Sequence, residues 1–193
     1  MKQRIKDIIA TSIQVKQAIL QDPTLVSAVQ QLSQECIQCF QADGKILFCG
    51  NGGSAADAQH LAAEFSGRFY LDRAPLFAEA LHVNTSYLTS VANDYSFDEI
   101  YSRLLKAKGR PGDILFAIST SGNSPNILRA VEQAKASGMW VVGMTGQSGG
   151  KMADLCDLLL NVPSTDTPRI QEAHIMLGHI VCELVEAALF PEA

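Results

Sequence analysis

The chain has 193 residues, 47% of them hydrophobic and 18% charged, with a formal net charge of −5. A chain of this length and apolar content buries a full core, which argues against disorder, and its acidic balance with scattered basic residues argues against a nucleic-acid surface. No run reaches the ~18 apolar residues of a membrane span, and Met1–Asp7 is not expected to be a signal peptide.

Residues 1–42 carry apolar side chains at helical spacing: Ile5, Ile8, Ile9, Ile13, Ala18 and Ile19, then Leu25, Val26, Val29, Leu32, Cys36 and Phe40. Val15 falls off the main stripe, so the expected face is broad. Asp22-Pro23 splits the segment into two helices, and Asp43-Gly44 ends the second. Five cysteines are irregularly placed. Cys36 and Cys39 form a C-x-x-C pair inside a helical pattern, without a second pair, and read as reduced thiols of a cytosolic protein.

From residue 43 the pattern becomes strand, loop, helix, repeated. Strands are expected at 45–49, 78–82, 113–118, 140–145 and 158–162. Helices are expected at 54–67, 86–93, 97–107, 124–137, 149–155 and 168–189. This alternation predicts an α/β fold with a parallel sheet covered on both faces, whose ligands bind at the carboxyl ends of the strands.

Two strands run into small polar loops there, Cys49-Gly50-Asn51-Gly52-Gly53-Ser54 and Ser119-Thr120-Ser121-Gly122-Asn123-Ser124. Such turns leave N–H groups free at a helix N-terminus, an arrangement suited to phosphate. The hydroxyls and amides, with no lysine, fit a phosphorylated polyol. Gly50–Ala55 formally matches G-x-G-x-x-A, but the next strand end, Ala80-Leu81-His82-Val83-Asn84, lacks the acidic residue of a dinucleotide site. No Walker Gly-Lys-Ser/Thr is present. Ser124 alone would be a helix cap; four hydroxyls in six positions ask for a ligand.

His60 and Glu64, at i and i+4, share a helix face beside Leu61, Ala62 and Phe65. A mostly buried helix is expected there. The pair is either an ordinary i,i+4 surface pair or, if buried, one that calls for metal ligation or acid–base work. In the last helix His174 reads as a satisfied core or surface residue. Gly178, beside His179, reads as a place where something approaches closely. His82 reads as structural. Asn93-Asp94 follows a short helix and either ends it or reaches toward the site.

In combination, C-G-N-G-G-S-A-A-D-A-Q-H-x3-E, A-N-D-Y, I-S-T-S-G-N-S and R-I-Q-E-x-H-x4-H resemble the bacterial phosphoheptose isomerases of the sugar isomerase (SIS) family, in order over nearly the whole chain. The resemblance implies a three-layer, flavodoxin-like SIS fold with a five-stranded parallel sheet. It implies one domain over 1–193, with helices in 1–42 and the α/β core and C-terminal helix in 43–193. It also implies isomerisation of sedoheptulose 7-phosphate to D-glycero-D-manno-heptose 7-phosphate, which opens ADP-heptose synthesis for lipopolysaccharide. A cytoplasmic homotetramer with sites between subunits, one Zn²⁺ per subunit, and no nucleic-acid or membrane partner follow from the same likeness. By position, Glu64 and His179 match the acid–base pair. His60, Glu64, Gln171 and His179 match the zinc ligands. Asn51, Gly52, Gly53, Glu64, Asn93, Asp94, Ser119, Thr120, Ser121, Ser124 and Gln171 match the substrate contacts, and Arg68 is expected to face the site. Pro168 departs from the acidic residue that some members carry there.

Some SIS relatives are non-catalytic and bind the replication initiator, and others sense sugar phosphates. The initiator-binding group typically lacks the acid–base pair that Glu64 and His179 supply here. A helical rise of ~12 Å separates Gln171 from His179. Both would reach one metal only at full stretch, so the helix is expected to start late or one of them to come from a neighbouring chain.

Overall fold

Apolar runs flanked by helix-forming segments give five strands: β1 (Ile46–Gly50), β2 (Ala78–Ala80), β3 (Ile114–Ile118), β4 (Trp140–Thr145) and β5 (Leu158–Asn161). They form one parallel sheet in the order β2-β1-β3-β4-β5. In register, Ile46 lies between Ala78 and Ile114, Ile114 beside Trp140, and Val142 beside Leu158. The structure, a computed structural model, describes residues 1–191; positions 192–193, included in the expected core, lie outside the described residues.

The helices are α1 (Lys2–Gln21), α2 (Pro23–Gln41), α3 (Gly53–Ser66), α4 (Thr85–Asp94), α5 (Ile100–Lys108), α6 (Pro125–Ala136) and α7 (Thr167–Leu189). Every position of β1 and β3 is buried. Successive side chains point to opposite faces, so one continuous apolar run feeds two cores. Ile46, Phe48, Ile114, Phe116 and Val142 pack against α2, α3 and α7. Leu47, Cys49, Leu115, Ala117 and Val141 pack against α4, α5 and α6. The Phe48 and Phe116 rings meet at 4.6 Å between centroids.

The expected break at Asp22-Pro23 is a cap: Asp22 accepts from the N–H groups of Thr24 (2.9 Å) and Leu25 (3.2 Å), and Pro23 opens α2. Two expected helices change character. Segment 97–107 is a 3₁₀ turn, Phe97–Glu99, running into α5. Segment 149–155 holds only a 3₁₀ turn, Gly150–Asp154. So short a piece behind two glycines does not sustain α-helix nucleation.

The buried contacts of α1 differ from expectation. Val15 and Ile19 meet the core, whereas Ile5, Ile8, Ile9 and Ile13 are exposed. Val15 and Ile19 sit four residues apart, so the residue outside the main stripe marks the packed face. The start of α7 is tied to α1 by Ser12 donating to Glu172 (2.7 Å) and Arg169 donating to the Ile8 carbonyl (3.1 Å).

Because β1 and β3 are neighbours, the two polar loops emerge side by side where the strand order reverses. α3 starts from the first loop and α6 from the second.

Candidate active site

The first loop is held from below. The Tyr101 hydroxyl donates to the Gly50 carbonyl. The side-chain amides of Asn51 and Asn126 donate to each other, both at 2.8 Å. Asn126 is buried at the head of α6, so this cyclic pair ties the first loop to the helix that follows the second.

In the second loop Ser124 occupies the N-cap position of α6, yet its hydroxyl makes no cap bond. It faces the Ser119 hydroxyl at 3.1 Å. Gly122 has φ 64 and comes so close to the Gly149 carbonyl that a Cβ has no room, which fixes glycine at this turn. The Asn123 amide nitrogen donates to the Ser121 carbonyl (2.8 Å), closing the loop on itself.

A cleft of about 270 Å³ opens beside this loop, lined by Thr120, Ser121 and Asn123, by Gly146–Ser148 after β4, and by Ser164, Thr165, Thr167 and Ile170 at the head of α7. None of these lining residues is charged. An anion there would be held by hydroxyls, amides and backbone N–H groups. The residues after β4 and before α7 were not singled out from the sequence. The signal for part of them was present: Thr145-Gly146-Gln147-Ser148-Gly149 is a third polar turn after a buried strand.

Farther along α3, His60 and Glu64 meet His179 of α7. His60 Nε2 lies 2.9 Å from Glu64 Oε1 and 3.4 Å from His179 Nε2. One donor atom from each of the three falls within 4.8 Å of the others. Two imidazoles and a carboxylate with room for a further ligand are the donor set of a catalytic zinc site, so these residues fit such an ion. The cluster is more open than the sequence indicated, with the His60 side chain 48% and the Glu64 side chain 23% exposed. The apolar neighbours Leu61, Ala62 and Phe65 are buried instead, on the other side of the helix. Phe69 packs its ring against His179 at 5.6 Å between centroids.

Gly178 lies against Leu61, so α3 and α7 approach each other beside the two histidines. α7 is continuous from Thr167 to Leu189, which removes the late-start alternative for Gln171 and His179. The Gln171 amide packs against Gly53, in the first turn of α3. Gln171 and His179 thus sit at different levels of α7, the first beside the start of α3 and the second beside His60.

Within one chain the polar loops and the His–Glu–His cluster are apart. Eleven residues from Gly53 to Glu64 make ~16 Å of rise, and nine from Ile170 to His179 make ~14 Å. Asn93 and Asp94 occupy the exposed end of α4, where Asn93 donates to Asp94 at 2.9 Å. Arg68 is exposed just beyond the end of α3. Pro168 lies in the first turn of α7, where its missing N–H costs no helix bond.

His174 is fully buried, with Nε2 3.1 Å from the Thr145 carbonyl, and burial lowers its pKa to about 4. Burial also lowers that of His82. Burial pushes the thiols of Cys36 and Cys39 up, Cys39 to about 11, which keeps the C-x-x-C pair unreactive near neutral pH. Among the described residues no helix is long and apolar enough to cross a membrane.

Comparison with known proteins follows the same lines. Residues 11–146 match the SIS domain. The phosphoheptose isomerase of Aneurinibacillus thermoaerophilus is 53% identical over 190 residues, spanning 98% of this chain and 96% of that protein. The phosphoheptose isomerase of Rhodospirillum rubrum is 62% identical over 150 residues, spanning 78% and 80%. The solved structure of phosphoheptose isomerase from Neisseria gonorrhoeae superposes with a TM-score of 0.91 at 46% identity, covering 96% of this chain and 98% of that one.

Proposed function

The chain belongs to the SIS domain family, among its phosphoheptose isomerases, and we propose that it interconverts sedoheptulose 7-phosphate and D-glycero-D-manno-heptose 7-phosphate. The observation that carries this reading is the convergence of Glu64 and His179 beside His60. The same convergence disfavours an initiator-binding or sensing role, which has no need of an acid–base pair.

The reaction moves a proton from C1 to C2 and another between the two oxygens. Glu64 takes the C1 proton and returns it to C2, and His179 carries the proton between O1 and O2, with an enediol between the steps. Roles reverse with direction. The phosphate sits against Ser119, Thr120, Ser121 and Ser124 at the head of α6, and Asn51, Gly52, Gly53, Asn93, Asp94 and Gln171 contact the sugar. Anchoring the far end of the substrate holds the reacting carbons in place. His60, Glu64 and His179 would hold one Zn²⁺, with Gln171 supplied by a neighbouring copy as a fourth ligand. Bound there, the ion supplies Lewis-acid polarisation of the carbonyl.

The working assembly in this reading is a cytoplasmic homotetramer with shared sites. The separation of loops and cluster within one chain supports it, as does the mismatch in level between Gln171 and His179. The exposed isoleucines of α1 and a groove lined by Leu20, Val26, Met176, Ile180 and Leu184 suit a second copy. Five unpaired cysteines agree with a reducing compartment.

Turnover of sedoheptulose 7-phosphate by the purified protein, with and without chelator, beside Glu64→Gln and His179→Ala, tests the assignment. Activity in the wild type that both substitutions abolish is expected. An inactive, metal-replete wild type would overturn it.

A further inference from the structure

Beneath the His–Glu–His cluster lies an ion pair that the reaction does not use. Arg73 Nε donates to Glu186 Oε1 at 2.9 Å, and the two side chains are 1% and 2% exposed. Each partner also binds backbone of the cluster's supports. Glu186 accepts from the N–H groups of Phe69 (3.0 Å), Tyr70 (2.7 Å) and Leu71 (3.0 Å). Arg73 donates to the carbonyls of Phe65 (2.8 Å), Gly67 (3.3 Å) and Ala74 (3.0 Å) through one terminal nitrogen. Through the other it donates to the carbonyl of Glu64 itself, at 2.9 Å.

The pair therefore touches both sides of the reacting cluster. On one side its guanidinium closes the last carbonyls of α3, which have no partner within the helix, and Glu64 is one of them. On the other, Glu186 stands two turns beyond His179 on α7 and pins the backbone of Phe69, whose ring packs on His179. A planar fork suits this work because its donors leave in fixed directions; a lysine at the same place offers one point charge. A buried ion pair is a poor source of stability, so its retention asks for a positional reason.

We propose that Arg73 and Glu186 are positioning residues of the isomerase, setting the relative placement of Glu64 and His179 by holding the end of α3 and the 69–71 backbone to α7. The proposal rests on the assignment of Glu64 and His179 as the acid–base pair. The phosphate end of the substrate is held by other elements, so the pair acts on turnover and leaves substrate binding alone.

Arg73→Lys keeps the charge opposite Glu186 and loses the fork. Its kcat is expected to fall between tenfold and about a hundredfold, the scale of an ångström misplacement, with KM within about threefold of wild type. Leu105→Ala, a cavity on the opposite face of the sheet, is the control: it lowers the melting temperature and keeps kcat. Wild-type kcat in folded Arg73→Lys, a loss confined to KM, or an equal loss of kcat in Leu105→Ala would each overturn the proposal. If Arg73→Lys is insoluble, Phe69→Leu takes its place with the same split expected, and an unchanged kcat there overturns it. A wild type without turnover defeats the isomerase assignment instead, and a dead Glu64→Gln beside a fully active Arg73→Lys defeats only the positioning role.

Discussion

Gly178→Ala isolates the contact between α3 and α7. A Cβ at Gly178 would meet both Leu61 Cδ atoms at 2.5 Å and Cγ at 3.1 Å. Both branches and the branch point are involved, so rotating the side chain does not clear it, and Leu61 is 1% exposed with no space to enter. Carbon atoms pack at ~3.5–4.0 Å, so the helices must separate by about 1 Å. Overpacking of this kind costs about 1–3 kcal/mol, against about 1 kcal/mol gained from replacing a helical glycine. The net loss is about 0–2 kcal/mol, small enough for the protein to stay folded. The site feels more. His60 and His179 flank the contact by one residue on each helix, and a 1 Å shift in a reacting geometry costs about a hundredfold in rate. Steady-state isomerisation and thermal unfolding are measured on Gly178→Ala, Leu61→Ala and the double variant. The double variant is expected to recover most of the lost kcat, because the shortened side chain admits the new methyl group. A Gly178→Ala protein with a raised melting temperature and unchanged kcat would refute the reasoning, since propensity would then outweigh packing.

Protonation of His174 should govern stability in mild acid. Its pKa is about 4 in the fold against 6.5 for the free side chain, so the unfolded chain binds the proton first. The contribution is complete above pH 6.5 and is lost as pH falls toward 4, by about 3 kcal/mol in all. Denaturant unfolding across that window should show a steeper pH dependence in wild type than in His174→Gln, and equal slopes would defeat the claim. Asn126→Ala leaves the Asn51 amide without its partner; about 1–2 kcal/mol of stability and a raised KM are expected, read by denaturant titration and kinetics. Glu64→Gln and Gln171→Ala chains, each inactive alone, should regain activity when co-expressed if sites are shared between copies, and no recovery in mixed oligomers would count against sharing.

How much of this was legible depends on the range of the forces involved. β4 has the expected bounds, β3 and β5 differ by one residue at one end and β1 is shifted by one residue, because apolar runs between turns are a local signal. His174 was left open between core and surface, and its complete burial settles it as core; Gly178 was legible as a close approach because glycine is costly in a helix. The exposure of α1 was not legible. Periodicity shows that a helix has an apolar face, but not whether the sheet or another molecule covers it, and only Val15 and Ile19 meet the core. The openness of His60 failed likewise, since the burial of its neighbours says nothing about the opposite side of α3. Contacts such as Gln171 with Gly53 or Arg73 with Glu186 join positions more than a hundred residues apart, and no local pattern announces them.

In the proposed reading, the uncharged cleft between the 119–124 loop and the head of α7 has a consequence for traffic through the enzyme. Cationic sites draw phosphates from a distance and hold them in proportion to charge, so they fill with whatever anion is abundant and weaken as salt rises. A cradle of hydroxyls, amides and N–H groups acts only at contact and through direction. Capture then depends little on ionic strength, competing inorganic anions find little general attraction, and substrate and product, which carry the same phosphate, leave as readily as they arrive. Such a grip suits an interconversion run in both directions between two sugars that carry the same phosphate.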